Sequence, residues 1–284
     1  MTKLNDDNFH IWSPSCFWGD QMFNLMAAKR LSNGKQVVIH TWKDAWDGHT
    51  YSWLPMNYDI LKFWSTIKFV GGIIFDIDQR IPIELGIEKN NYDVRMTLDS
   101  DVSQKFLYDI RNDIDFSRLP RYDSPGWSGK MASFQPISLL HRAEEDIEPE
   151  YISPWDNCIK ALLDKGYEIV AIGGDKDVAD VEKYYPELLN KYPITNLMGK
   201  INMFRSIDLV MNHASFVLSC DSWSGWYGIA SRTKVAVAAG KTYREGTDSA
   251  YIEALGNKDV YILDYAYNKD NCDTNLARWI KENA

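Results

Sequence analysis

Residues 196–239, NLMGKINMFRSIDLVMNHASFVLSCDSWSGWYGIASRTKVAVAA, can be folded in few ways. Two short runs rich in apolar residues, 216–220 and 235–238, are separated by an Asp221-Ser222 turn, two glycines and a short helical stretch. Runs of four or five residues are too short to be helices of the core, and near-continuous apolar character is that of strands buried on both faces. Parallel neighbours of that kind need a crossover connection, usually a helix. The stretch therefore predicts a strand–helix–strand unit inside a parallel sheet.

The same alternation runs through the rest of the chain. A first strand is predicted over residues 9–13, then a turn at Cys16-Phe-Trp-Gly19-Asp20. A helix follows, with Met22, Leu25, Met26 and Lys29–Leu31 at helical spacing and Gly34 as its stop. Strands are predicted over 37–41 and 73–77, with a helix over 59–68 between them. Residues 119–130, LPRYDSPGWSGK, concentrate proline, glycine and small polar residues and form the predicted linker. Beyond it, strands are predicted over 134–141, 168–172, 216–220, 235–238 and 260–263. Helices are predicted from Ser153-Pro154 to 165, over 178–189 with a break near Pro186, over 204–212 and over 274–281. Ser153 is expected to accept from the free N–H groups of the first of these. The chain thus reads as α/β with two Rossmann-like domains, residues 1–128 and 129–284.

Composition removes several classes of function. The chain has 284 residues, 45% of them apolar and 25% charged, as globular proteins do. No apolar run approaches the ~18 residues that span a membrane, and Met-Thr-Lys-Leu-Asn-Asp-Asp lacks the apolar core of a signal peptide. Cys16, Cys158, Cys220 and Cys272 form no CxxC pair, which argues against a disulfide framework and a zinc site and points to a reducing cytoplasm. Net charge is −9, and a cut at Ser128 leaves −3 before it and −6 after it. Neither half is a basic lobe, so extended tracking of nucleic-acid phosphates is disfavoured. The five histidines are not paired at metal-ligand spacing and none sits in a nucleophile-elbow context, so hydrolase triads and zinc chemistry have little support.

The residues that can carry chemistry lie where predicted strands end. Gly173-Gly174-Asp175 closes an apolar strand, which suits close approach of a ligand to backbone and equally suits a plain turn; the pattern is not GxGxxG. Gly199 breaks the chain beside Lys200, which faces either a phosphate or base, or solvent; Met203 follows in the same loop. Asp221, Ser222, Trp223, Ser224 and Gly225 open a helix, where N–H groups and hydroxyls suit a diphosphate, and where Asp221 or Ser222 can alternatively cap the helix. Asp20 at the first strand end is either a general base or an N-cap. Arg142 can grip a diphosphate or pair with the acidic residues after it. Tyr243 and Arg244 are weaker candidates of the same kind. Trp12, Trp18, Trp42, Trp46 and Trp53 crowd the first 53 residues, as core or as stacking platforms.

Four of these pieces together resemble glycosyltransferase family 9, the heptosyltransferase-like enzymes. Gly19-Asp20 before a helix with Ala27-Ala28 and Leu31 resembles the family's N-terminal GD motif. Leu163-x-x-Gly166-Tyr-Glu-Ile-Val-Ala-Ile-Gly173-Gly174 resembles its central strand and GG turn. Asn196-Leu-Met-Gly199-Lys200 resembles its NL-x-GK loop. Asp221-Ser222 with Gly225 and Ala230 resembles its DSG-x-x-H-x-A motif. The resemblance implies a GT-B fold, in which two Rossmann-like domains face a central cleft, and inverting, cofactor-free transfer without a metal. It implies Asp20 as base; Gly19 beside it, and Trp18, Trp42 and Trp46 as stacking platforms, are the acceptor-side candidates. It places Gly199, Lys200 and Met203 with the nucleoside part of a nucleotide-sugar, and Asp221, Ser222, Trp223, Ser224, Gly225 and Arg142 with its diphosphate and sugar; Gly173, Gly174 and Asp175 are further donor-side candidates.

The chain departs from the family in the last motif: its histidine falls on Gly228, and two extra residues are inserted, with Trp223 and Trp226 in the turn. It is also short for a heptosyltransferase, so a heptose is not assumed. Small glycosyltransferases of certain bacteriophages decorate hydroxymethylated bases of their own DNA. Arg111, Arg118, Arg121 and Lys130 beside the linker are compatible with such an acceptor, which would place the protein in the host cytoplasm. A non-catalytic nucleotide-sugar-binding module and a GT-B nucleotide-sugar epimerase are the other classes consistent with the pattern. Donor, acceptor and oligomeric state are not specified by the sequence.

Overall fold

The computed structural model describes residues 7–12, 18, 25, 28–29, 31–42, 58–76, 110–123, 126–127, 129–137, 155–220, 222–239, 259–264 and 272–284. The chain divides into two compact units, Met1–Leu119 and Pro120–Ala284.

The first unit carries a parallel three-stranded sheet, β1 (Phe9–Trp12), β2 (Val37–Trp42) and β3 (Val70–Asp76), in the order β1-β2-β3. Helix α1 (Tyr58–Trp64) lies in the connection between β2 and β3. The apolar residues of these elements form the core: Ile11, Val37 and Ile39 of the sheet are buried together with Leu25, Ala28, Phe63 and Trp64. Leu25, Ala28, Lys29 and Leu31 have helical backbone, as their spacing predicts. Lys29 and Asp113 form an ion pair that ties this helical stretch to the end of the unit.

The second unit is built on six parallel strands: β4 (Lys130–Gln135), β5 (Tyr167–Ala171), β6 (Ile194–Asn196), β7 (Phe216–Cys220), β8 (Lys234–Ala239) and β9 (Val260–Asp264). Their order is β6-β5-β4-β7-β8-β9. Counted from β4, this is the doubly wound order 3-2-1-4-5-6, whose direction reverses between β4 and β7. The helices are α2 (Asp156–Asp164), α3 (Asp175–Tyr184), α4 (Leu188–Lys191), α5 (Met203–Asp208), α6 (Trp223–Ala230) and α7 (Cys272–Asn283). Alternate strand residues serve the two faces. Ala132, Phe134, Ile169, Ala171, Phe216, Leu218 and Ala236 form one core with Cys158, Ile159 and Leu162 of α2 and Leu276 and Ile280 of α7. Val217, Ser219, Val235 and Val237 meet α6 on the other face.

One local reading of the sequence is corrected, and one cap is found where no local pattern marks it. The strand predicted over 134–141 is β4, which starts four residues earlier and stops before Pro136. Lys130 and Ser133 break the apolar run that would have marked it, and proline cannot continue the ladder. Ser153, the cap that the sequence suggests for α2, lies outside the described residues. Asn157 N and Cys158 N donate to Asp273 Oδ2 and Oδ1 of α7, at 2.9 and 3.0 Å. This carboxylate is a buried cap supplied from across the sequence, and it fixes α2 with Trp155 at its entrance. Asp273→Ala takes the partner from one buried and one part-buried N–H group and is expected to cost about 1–3 kcal/mol, measured as the shift in denaturant midpoint at unchanged slope.

The segment after Pro120 is also anchored. Tyr122 N donates to Asp208 Oδ2 at 2.8 Å, Tyr122 stacks on Trp127 with ring centroids 5.6 Å apart, and His213 meets both rings edge-on. Asp208 precedes and His213 closes a π-helical turn, Leu209–His213, that continues α5.

Candidate functional site at the carboxyl ends of the six-stranded sheet

In a parallel sheet, the crevice outside the carboxyl ends of the strands, where the winding reverses, is the place for a ligand. Here β5, β4 and β7 span that point, and the loops that leave them carry most of the described site candidates.

β5 ends at Ala171, and Ile172, Gly173 and Gly174 turn the chain into α3. Gly173 is buried, and a side chain there would stand 2.9 Å from Asp177 Oδ2 and 3.1 Å from Met198 Cε. Gly174 N donates to Asp177 Oδ2 at 2.7 Å, so the turn is held by the chain itself, and Asp175 is exposed at the start of α3. The loop after β6 packs directly on this turn: Gly199 N donates to Gly173 O at 3.0 Å. Gly199 has φ +66, and a Cβ on it would lie 2.8 Å from Asp175 Oδ1. Both the left-handed backbone and the contact require glycine. Lys200 is exposed and its Nζ donates to Asn196 O at 2.9 Å. Asn202 Oδ1 accepts from Arg205 N at 3.0 Å and caps α5, placing half-buried Met203 at its first position. Gly173, Gly174, Asp175, Gly199, Lys200 and Met203 thus form one corner. Gly199→Ala is expected to displace this corner and lower the affinity for any ligand held there by about tenfold, from the 1–2 kcal/mol cost of a left-handed residue with a side chain; equilibrium binding measures it.

β7 ends at Cys220, and α6 begins at Trp223. Ser222 is half-buried and extended, and its side chain makes no capping bond to the helix. Gly225 N donates to Ser222 O at 3.2 Å, and the N–H groups of Trp223 and Ser224 precede the first turn of hydrogen bonds, as at any helix start. The Ser224 hydroxyl is buried and lies 2.7 Å from Ser219 Oγ, so it joins α6 to the sheet. Trp223 is half-buried, its ring edge-on to Tyr227 at 5.8 Å. Burial pushes the Tyr227 phenol well above its ordinary value, which removes it as an acid or base near neutrality. Gly225 would bring a Cβ within 3.1 Å of Val237 Cγ2, and Gly228 within 2.8 Å of Val217 Cγ2 and 3.0 Å of Val235 Cγ2. The position on which the family's histidine falls is therefore a helix–sheet contact with no room for a side chain. The β5–β6 corner and the start of α6 are two strand spacings apart, roughly 10 Å, on either side of β4.

β4 itself supplies a residue that the sequence reading did not single out. Gln135 is 2% exposed, its Nε2 faces Ile137 O at 3.4 Å, and its Oε1 has no protein partner among the described residues. A polar residue closing a buried strand just before a proline is the signal that would have found it. Behind it, Trp155 donates from Nε1 to Pro136 O at 3.2 Å and holds the turn after β4.

Of the first-unit candidates, Trp18 is not in a turn before the helix as the sequence suggests but already on helical backbone, half-buried and edge-on to Phe63 at 5.7 Å. Trp42 ends β2, in register with Asp76. Gly19, Asp20, Trp46, Arg142 and Asp221, with Tyr243 and Arg244, lie outside the described residues. Among the described residues, no group of three or more His, Cys, Asp or Glu is placed to hold a metal ion, and no helix is long and apolar enough to cross a membrane.

Parallel α/β sheets in two units, the second doubly wound, are the components of the GT-B fold, and comparison with solved structures gives the same class. The chain is similar to the glycosyl transferase family 9 protein of Veillonella parvula, at 10% identity over 99% of this chain and 97% of that one, with a TM-score of 0.54. It is similar to the E. coli heptosyltransferase WaaC solved with ADP, at 12% identity over 97% and 99% of the two chains, with a TM-score of 0.54. At these identities the likeness is one of fold. No protein-family model and no curated protein matches the chain.

Proposed function

We propose that the protein is a glycosyltransferase that takes its sugar from a nucleotide-sugar. The observation that carries this is the GT-B fold, matched along nearly the whole of both chains by a family 9 glycosyltransferase and by a heptosyltransferase solved with ADP. The strand-end chemistry of the second unit supports it. The corner of Gly173, Gly174, Asp175, Gly199, Lys200 and Met203 takes the nucleoside. The start of α6 takes the diphosphate, through the N–H groups of Trp223 and Ser224 and the hydroxyl of Ser222. Gly225 lets α6 lie close to the sheet, Asp221 orders the turn or accepts from a sugar hydroxyl, and Arg142 pairs with the diphosphate. Trp223 borders the sugar.

Transfer proceeds with inversion. The acceptor oxygen attacks the anomeric carbon, and its proton passes to the Asp20 carboxylate. The bond from anomeric carbon to diphosphate breaks, and its electron pair leaves with the nucleoside diphosphate. The positive end of α6 and Arg142 stabilise that developing charge, so no metal is required. Trp18, Gly19, Trp42 and Trp46 stand on the acceptor side. The net charge of −9 favours a carbohydrate acceptor. The hydroxymethyl group of a modified base in phage DNA is the second acceptor class, supported by exposed Arg118, Arg121 and Lys130.

Incubation with a mixture of nucleotide-sugars, followed by mass spectrometry of what the protein retains, tests the donor. One nucleotide-sugar should be enriched, and nucleoside diphosphate should appear once an acceptor is added. Retention with no release for any acceptor identifies a binding module instead, and a changed sugar without acceptor identifies an epimerase. A hydroxymethylcytosine duplex in the same assay decides the DNA acceptor, which is excluded if no donor labels it.

A further inference from the structure

We propose that Gln135 is a donor-binding residue whose Oε1 accepts a hydrogen bond from a hydroxyl group of the nucleotide-sugar. This rests on the donor assignment above and extends it to a residue that no motif marks. Ile137 O can only accept, so the carboxamide must turn Nε2 toward it, and Oε1 is the atom left over. That atom is buried, on a residue 2% exposed, without a protein partner among the described residues. Leaving such an acceptor unpaired destabilises a fold, so its retention asks for a reason.

Its position supplies one. Gln135 ends β4 and is in register with Ser219 of β7, roughly 5 Å away on the same face of the sheet. Ser219 in turn touches the first turn of α6, with its hydroxyl 2.7 Å from Ser224 Oγ. The acceptor therefore sits at the reversal of the winding, one strand from β7, whose Ser219 meets the start of an eight-residue helix that favours an anion. A phosphate oxygen cannot satisfy it, because both are acceptors. A hydroxyl carried next to the phosphate can. Nucleotide-sugars offer such hydroxyls on the ribose and on the transferred sugar.

The test uses the full chain, with thermal unfolding without ligand and calorimetric binding of ADP-glucose, UDP-glucose, GDP-mannose and the matching nucleoside diphosphates. Gln135→Leu and Gln135→Met keep the volume and remove the unpaired acceptor. Both are expected to unfold at the same or a higher temperature than the parent, and to bind the preferred nucleotide-sugar about tenfold more weakly, one hydrogen bond's worth. A loss shared with the nucleoside diphosphate assigns the ribose hydroxyl, and a loss confined to the sugar conjugate assigns the sugar. Unchanged donor affinity in either folded variant overturns the role of Gln135 while leaving the glycosyltransferase assignment standing. A lower unfolding temperature in both variants overturns it as well, since Gln135 then serves the fold. A parent protein that binds none of the probes overturns the donor assignment and this role together.

Discussion

Asp20→Asn is expected to lower sugar transfer by about 10²–10⁴-fold, the usual contribution of a general base, with nucleotide-sugar affinity essentially unchanged. Asparagine has the shape of aspartate and is as good a helix N-cap, so the substitution spares the capping role that the sequence alone suggests for Asp20. What it removes is the ability to take a proton from the acceptor hydroxyl. Initial rates of nucleoside diphosphate release and calorimetric donor binding read the two effects separately. Full turnover by the variant would confine Asp20 to capping.

Gly228 gives the second large effect, on stability. A Cβ there would stand 2.8 Å from Val217 Cγ2 and 3.0 Å from Val235 Cγ2, both on buried strands in the middle of the sheet. Gly228→Ala gains about 1 kcal/mol of helix propensity and still has to push α6 outward. Gly228→His, which would put back the residue of the related motif, has nowhere to place its ring. It is expected to cost on the order of 2–4 kcal/mol, with a fall in unfolding temperature of about 2–4 °C per kcal/mol for a unit of this size. Restoring the histidine should therefore destroy activity through misfolding. A stable Gly228→His protein would mean that α6 does not lie on β7 and β8 as described.

The parts of the fold that sequence made legible are those in which one local pattern decides. The apolar runs at 216–220 and 235–238 are β7 and β8 because no competing helix period exists there. Pro186 splits the helical stretch into α3 and α4 where proline must. What was hidden depended on distant partners. β4 was displaced because Ser133 and Gln135 interrupt its apolar signal, and only its burial between β5 and β7 makes it central. The cap of α2 comes from Asp273, on a helix more than a hundred residues on, which no capping pattern can reveal. In the site, Gly173 and Gly199 stood out as glycines, but their contact with each other is tertiary. Ser224 read as a free hydroxyl beside Ser222, yet helical geometry turns it onto Ser219. Gln135 belongs to no motif, and its place before Pro136 becomes a signal only once the strand is known to be buried, which leaves its oxygen unpaired among the described residues.

Hydrogen–deuterium exchange with and without the nucleotide-sugar that the protein retains is the most direct measurement of where the donor sits. Slowed exchange confined to 173–175, 197–203 and 222–225 is the predicted result, since those backbone groups line the two corners on either side of β4. Demonstrable binding with no protection at either corner, or with protection only in residues 7–76, would contradict the assignment of the six-stranded unit as the donor half.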